Sequence, residues 1–470
     1  MLMKMNLLVI FVPVLIFMLP FGVEAARLTS SDFTYLGAFR TPTSSGTLES
    51  LGTTEGVGSL SFRPDGNGGA GSLIISGRNG VTEITIPNPS TSSNLNSLNV
   101  ATVIQSTTSI FTGASLGSCD RLGSVAYVGQ KGSVSPKLYW SCYIYYNASG
   151  DDYSSLGWAE VTMSSPNAKG AWHIGPSPGS NWDSPYHGNK YGDYIIPIDQ
   201  AWADQYTGGK SLLVGRYKEA GSVGGSMGPV LTAVGPWLDG NPPANGFNLS
   251  ATPLMYFNSV PVHTSDTTWM EFRLTGDPNY TYYSAGDHWD GGAWVTVGTK
   301  KGLVLVGRHG TYDGSSPCPW NGANGCNGAV GTNTPPYCYG EGGKDCPYGI
   351  AVTNYKGYHN GPYHGRFLFI DPDELALVAQ GQKDAHTIDA YAVYAPQADW
   401  HFNSTEGYNQ IAGAAYDSTN HRFYVVQAMV EQPGGQNAPA WPLIHVYQVS
   451  DSGGGSGTPR PPQNLRLGNP

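Results

Sequence analysis

The chain has 470 residues, a net charge of −10 and only 12% charged residues, against 64 Gly, 34 Pro, 29 Tyr and 12 Trp. That balance favours many short strands joined by turns and leaves few helix formers. With no basic cluster, it presents no electrostatic footprint for nucleic acid or an anionic membrane surface, and neither is expected as a partner.

In chain order, Lys4 precedes an apolar run over 7–19 that Pro13 interrupts. The run is shorter than the ~20 residues of a membrane span. Val23-Glu24-Ala25 then supplies small residues where a signal peptidase would cut. We read 1–25 as a cleaved secretory signal, with an uncleaved N-terminal anchor as the alternative, and expect a secreted, extracellular protein.

The segment 33–39 (FTYLGAF) reads as a first strand. After it, one pattern recurs: a short apolar strand, a turn of Gly, Asn, Asp or Lys, and a second apolar strand ending in a small residue. It is seen in 58–62 with 72–77, 123–127 with 137–141, 194–197 with 211–215, 293–297 with 303–307, and 413–416 with 422–427. These are candidate hairpins of a β-propeller, an all-β ring of four-stranded blades in which closure removes exposed sheet edges. Copies lie farther apart than the 40 to 50 residues of one blade, so drifted blades are expected between them, giving six or seven in all. The last strand, 443–449, is placed to pair with 33–39 and complete one blade.

Only 198–205 and 372–380 look helical, and Asp371, Asp373 and Glu374 at the second read as N-terminal capping charges. The propeller is therefore expected to fill 26–449. Residues 450–470 read as a Gly/Ser/Pro-rich linker followed by a remnant of a fibronectin type III-like start.

Six cysteines in an exported chain predict up to three disulfides. Cys119 with Cys142 is the natural pair. Cys318, Cys326, Cys338 and Cys346 share one Gly/Pro/Asn-rich stretch, where cross-links replace a missing core; without a CxxC pair, a zinc site is the weaker alternative. The N-x-S/T triplets at Asn147, Asn248, Asn279 and Asn403 decide nothing.

No nucleophile elbow, P-loop, dinucleotide fingerprint or HExxH occurs. Four polar clusters remain: 185–193, with His187, Lys190, Tyr191 and Asp193; 215–219, with Arg216 and Glu219, continued by 226–229; 287–292, with Asp287, His288, Trp289 and Asp290, whose hairpin ends in Arg308 and His309; and 356–366, with Tyr358, His359 and Arg366. Propeller loops at one end of the strands gather around the axis, so these can converge from several blades. Each residue taken singly also has a plain reading, in which His and Tyr of Gly-rich loops satisfy backbone groups.

β-Elimination on a uronic-acid polysaccharide needs this mixture. A cation must neutralise the sugar carboxylate, a role open to Arg216 or Arg308, with Lys190, His309 and Arg366 as further binding groups. A base must take the adjacent carbon's proton, for which His187, His288 or His359 has a suitable unperturbed pKa, and Tyr191 or Tyr358 would protonate the leaving oxygen. Trp289 offers a sugar-stacking face, whereas Trp294 begins an apolar strand and reads as core. Hydrolysis by paired carboxylates, drawn from Asp193, Glu219, Asp287 and Asp290, is the second chemistry. A non-catalytic glycan- or protein-binding propeller and a structural surface protein are the readings without catalysis. No organic cofactor or catalytic metal is called for, while a structural calcium ion in the channel would leave no countable pattern.

Residues 33–40 (FTYLGAFR), 357–372 and 413–417 (GAAYD) resemble a family of secreted bacterial proteins of uncertain function, over most of the mature chain. The resemblance implies export and carries no activity with it. In architecture alone the pattern is also similar to propeller-fold polysaccharide lyases such as the ulvan and rhamnose-glucuronate lyases. No motif of theirs matches residue by residue, so that similarity assigns no residue.

Overall fold

The computed structural model describes residues 26–43, 59–77, 80–144, 147, 149–216, 226, 228–236, 243–257, 272–278, 287–310, 338–339, 358–359, 363–402, 411–431 and 441–451. The side chains of residues 338, 339, 358, 359, 363, 429 and 431 lie outside that description, as do the expected signal segment, residues 452–470 of the tail, and Cys318, Cys326 and Cys346.

Five antiparallel sheets follow one another along the chain. The first is the meander Leu60–Arg63, Ser72–Gly77, Gly80–Ile84 and Val103–Thr108. The second runs Arg121–Val128, Lys137–Tyr143, Leu156–Glu160 and Lys169–Ile174, with the short Asn248–Leu249 added in parallel outside. The third comprises Tyr194–Pro197, Leu212–Gly215, Leu231–Val234 and Thr252–Met255. The fourth comprises His288–Val297, Lys300–Gly310, Tyr363–Ile370 and Ala392–Tyr394, joined by Ala26–Arg27. In the fifth, Ile411–Asp417, Arg422–Glu431 and Trp441–Val449 are completed by the N-terminal strand Phe33–Arg40, which pairs antiparallel with Trp441–Val449 from Phe33 opposite Val449 to Arg40 opposite Leu443.

The first strand of each sheet touches the first strand of the next, and that of the fifth touches that of the first. This is a propeller arrangement of five blades, not six or seven. Each of the five sequence hairpins is the inner hairpin of one blade, and the spacing that argued for missing blades is filled by outer strands and long loops. The fourth blade, for instance, spends residues 288–394 on four strands.

An inner strand has one ladder edge facing the axis, where its N–H groups need partners. Buried serines supply them. Ser59 Oγ lies 2.9 Å from Ser124 Oγ and accepts the Val125 N–H at 2.9 Å, while Ser124 Oγ accepts the Ile195 N–H at 3.1 Å. Ser61 Oγ likewise accepts the Tyr127 N–H at 2.8 Å, and Ser141 Oγ donates to the Gly192 carbonyl at 2.9 Å. The first three inner strands are thus stitched together by side chains too small to fill the axis.

Between blades the faces are apolar. Phe33 lies edge-on to Phe423 at 5.4 Å and to Phe369 at 5.6 Å, joining the fourth and fifth sheets, each pair contributing about 0.5–1.5 kcal/mol beyond simple burial. The two helices occur where the sequence predicts them. Gln200–Tyr206 is capped by Asp199 accepting the Trp202 N–H at 2.8 Å, and Pro372–Ala379 by Asp371 accepting the Asp373 N–H at 2.9 Å. Asp371 also meets Arg27 at 2.5 Å, so the 371–374 acids serve the helix start. Cys119 and Cys142 form a disulfide, the pair expected once the other four cysteines are grouped in their own stretch.

Candidate active site

In each antiparallel hairpin the start of the inner strand lies beside the end of the second. His288 is registered opposite Arg308, Tyr194 opposite Gly215, and Arg121 opposite Tyr143. Residues just before an inner strand and just after a second strand therefore collect at one end of the axis, which brings together Asp193, His288 and Asp290 with Arg216 and Arg308.

One ligand atom each from Asp193, His288 and Asp290 lies within 4.8 Å of the other two. His288 Nε2 is 3.1 Å from Asp290 Oδ1, with the two side chains 17% and 14% exposed, so this edge of the cluster reaches solvent. Asp193 Oδ2 faces Arg216 Nε at 3.5 Å. The Arg216 guanidinium stands 4.0 Å over the ring of Tyr143 and donates to Tyr153 Oη at 3.3 Å. Burial works against its charge, but Asp193, with Tyr153 and Tyr143, more than offsets that. Burial, and then the Arg308 and Arg216 charges, hold the His288 pKa well below its ordinary value, so the imidazole is neutral at pH 7.

Asp290 owes its place to a β-bulge. Trp289 pairs with Gly307 and Gly291 with Val306, leaving Asp290 as the extra residue. The bulge requires close backbone approach. A Cβ on Gly307 would sit 2.0 Å from the His288 carbonyl oxygen, and one on Gly291 2.7 Å from Gly413 Cα of the next inner strand.

Of the residues singled out from sequence, His288, Arg216 and Arg308 reach this cluster, together with Asp193 and Asp290 from the hydrolytic alternative. The others are placed elsewhere. His187 is fully buried, donating from Nε2 to the Gly150 carbonyl at 3.1 Å and accepting the Asn189 N–H on Nδ1 at 3.2 Å. Tyr191 donates to the Pro185 carbonyl at 2.5 Å, and burial raises its pKa. Lys190, 1% exposed, donates to the Phe257 carbonyl at 3.1 Å, and burial pushes its pKa down to about 8. The neighbouring loop is fastened by Asp152, which accepts from His173 Nε2 at 2.9 Å and the Gly188 N–H at 2.9 Å. These residues hold the 185–192 loop in place.

His309 donates to Asp287 at 2.8 Å in full burial, and Asp287 also accepts the Gly310 N–H at 2.8 Å. Asp287 is thereby committed to the strand end. Arg366 meets Asp277 at 2.5 Å with both side chains buried, and Trp289 is wholly buried in the apolar core between the third and fourth sheets. The side chains of Tyr358 and His359, and all of Glu219, lie outside the described residues. Tyr143 and Tyr153 were not picked out from sequence. Tyr143 follows the predicted second strand 137–141 by two residues, as Arg216 and Arg308 follow 211–215 and 303–307 by one, and that shared position was the available signal.

Two carboxylates and an imidazole are also donors that a divalent cation accepts. The Arg216 and Arg308 guanidiniums supply positive charge at the same place.

No protein-family model matches the chain, and no curated protein matches it. Among solved structures, the chain is similar to the GH43B of a xyloglucan utilisation locus from Bacteroides ovatus, at 10% identity and a TM-score of 0.35, over 88% of this chain and 57% of that one. It is also similar to the PQQ-bound aldose sugar dehydrogenase from Streptomyces coelicolor, at 13% identity and a TM-score of 0.29, over 88% of this chain and 97% of that one. The chain thus spans little more than half the length of the first of these.

Proposed function

We propose that the axial cluster is the active site of a carbohydrate-active enzyme that hydrolyses glycosidic bonds with Asp193 and Asp290 as its carboxylate pair. One observation carries this reading: two carboxylates from neighbouring blades approach to within 4.8 Å beside a neutral imidazole, at an edge open to solvent. Glycosidases need an acid and a second carboxylate on either side of the scissile bond, and carboxylates this close fall on the retaining side of the division between about 5–5.5 Å for retention and about 6.5–9.5 Å for inversion. Asp193, beside Arg216, is suited to remain an anion and act as nucleophile. Asp290, the more exposed and hydrogen-bonded to His288, is suited to give and take back the proton. Tyr143 and Tyr153 hold Arg216 in position behind Asp193.

A second reading rests on the neutral state of His288 between two arginines. β-Elimination would use His288 as base and the guanidiniums against a uronate carboxylate. It ranks below hydrolysis because two aspartates at the same point repel such a substrate and Asp193 already engages Arg216. Under either reading the substrate is a polysaccharide met outside the cytoplasm. The Cys119–Cys142 bond fits that setting, and no helix among the described residues is long and apolar enough to cross a membrane. A calcium ion on the Asp193, His288 and Asp290 donors would add a structural requirement to either chemistry, read as activity lost to a chelator and restored by calcium.

The test is to incubate the purified protein with neutral and uronic-acid polysaccharides while following reducing ends and unsaturated-uronate absorbance. Reducing ends without absorbance, abolished in Asp193→Asn and Asp290→Asn, support hydrolysis. Both signals together, lost in His288→Ala, support elimination. If neither signal appears on any glycan, the reading gives way to a non-catalytic binding propeller.

A further inference from the structure

A cavity of about 370 Å³ lies on the same axis, farther along the inner strands, with walls from all five blades. None of Asp193, His288 and Asp290 lines it, but its lining begins at Ile195 and Gly292, two residues or about 7 Å of strand from Asp193 and Asp290, and extends to Pro197 and Trp294, four residues or about 13 Å along. Its mouth is the opposite end of the propeller, where Pro64, Pro197, Ser418 and Thr419 are exposed.

The cavity persists because the inner strands carry small residues at this depth, among them Gly292 and Ala414. A Cβ on Gly292 would come 2.5 Å from the Val304 carbonyl oxygen, so that position cannot be filled without moving the sheet. Four aromatic residues from four blades line the space: Phe62, Tyr127, Trp294 and Tyr416. Three of them are fixed by contacts outside it. Tyr416 donates to the Thr296 carbonyl at 2.8 Å, Arg63 stands 5.8 Å over the Tyr127 ring, and Trp294 packs at 5.2 Å on Trp202.

Among the described residues lining the cavity none carries a formal charge. A charged ligand would lose its hydration there without a counter-charge, which selects a neutral occupant. Rigid aromatic faces suit the C–H face of a sugar ring, and the hydroxyls of Ser418 and Thr419 at the mouth suit its hydroxyl groups. The volume falls within the range of small-molecule sites, at its lower end. We propose that this cavity binds a neutral saccharide of one or two pyranose rings, as a second site that adjoins the carboxylate cluster and is lined by none of its residues.

The test is calorimetric titration and tryptophan fluorescence with glucose, galactose, mannose, xylose and cellobiose, with glucuronate and indole as contrasting probes. The expected result is that at least one neutral sugar binds and glucuronate does not. Tyr416→Ala should weaken that binding at least tenfold, and Asp290→Asn should leave it unchanged. Should Tyr416→Ala unfold the protein, Thr419→Trp, which obstructs the exposed mouth and removes no core side chain, must abolish binding instead. The proposal is overturned if no neutral sugar binds, if indole binds in preference to every sugar, or if binding is lost in Asp290→Asn and kept in Thr419→Trp.

Discussion

Arg366 attracts attention in sequence as a cation for substrate, yet its structural partner makes a different and measurable claim. Its Nε lies 2.5 Å and its Nη2 3.4 Å from the two oxygens of Asp277, with the side chains 1% and 0% exposed, and Nη1 donates to the Gly365 carbonyl at 2.9 Å. Removing one member of such a pair leaves a buried charge uncompensated, which costs about 3–5 kcal/mol, whereas replacing both by apolar residues is often neutral. For a urea dependence of about 3 kcal/mol per molar, Asp277→Ala should lower the unfolding midpoint by about 1–1.7 M. The double variant Asp277→Leu/Arg366→Leu should recover most of that loss. Urea titrations followed by tryptophan fluorescence on the three proteins measure both. A loss below about 1 kcal/mol in Asp277→Ala, or a double variant no better than the single, would refute the structural assignment of Arg366.

Acid should weaken the fold in a way that one residue partly controls. Burial, and then His401, push the His445 pKa down to about 3, and its ring is held by Tyr35 Oη at 3.0 Å and Gln427 Oε1 at 2.8 Å. The unfolded imidazole takes its proton near pH 6.5 and the folded one only near 3. This contribution is therefore full above 6.5 and falls by up to about 1.4 kcal/mol per pH unit below it, and His445→Gln should flatten that slope in urea titrations at pH 7, 6, 5 and 4. His173 should act in the opposite sense. Burial lowers its pKa, but hydrogen bonds to Asp152 and the Gly175 carbonyl outweigh that and raise it, so its stabilisation is present below pH 6.5 and lost as pH rises through the folded value; an NMR titration giving a His173 pKa below 6.5 would contradict this. Reducing Cys119–Cys142, which closes a loop of sequence separation 23, should cost about 3.4 kcal/mol, read as the difference between urea curves with and without reductant. Gly291→Ala should loosen the junction of the fourth and fifth blades, because its Cβ would meet Gly413 Cα at 2.7 Å; unchanged thermal stability would show that the strands can part at little cost.

Local chemistry was legible in the sequence wherever neighbours in the chain decide the outcome. Apolar alternation and turn residues marked the inner hairpin of all five blades, both helices formed where expected with Asp371 capping the second, and Cys119 with Cys142 formed the expected bridge. The pairing of 33–39 with 443–449 also followed from the position of the two segments, before the first and after the last of the five hairpins. The blade count did not follow, since spacing between hairpins measures loop length as well as the number of strands.

The membership of the axial cluster was decided by long-range register. Across the fourth sheet His288 is opposite Arg308 and Arg308 opposite Gly365, while Trp289 is opposite Gly307 and Gly307 opposite Arg366. Side chains alternate between the faces of a strand, so one residue of parity sends His288 and Arg308 to the axial cluster and Trp289 and Arg366 to the interior. His187 and Asp193 belong to one run of polar residues, yet the first is sealed beneath its own loop and the second reaches the axis at the start of an inner strand. The residue types that chemistry needs were present in all four polar clusters of the sequence. Which of them share a point in space is fixed by pairing between strands distant in the chain, and no local pattern encodes that.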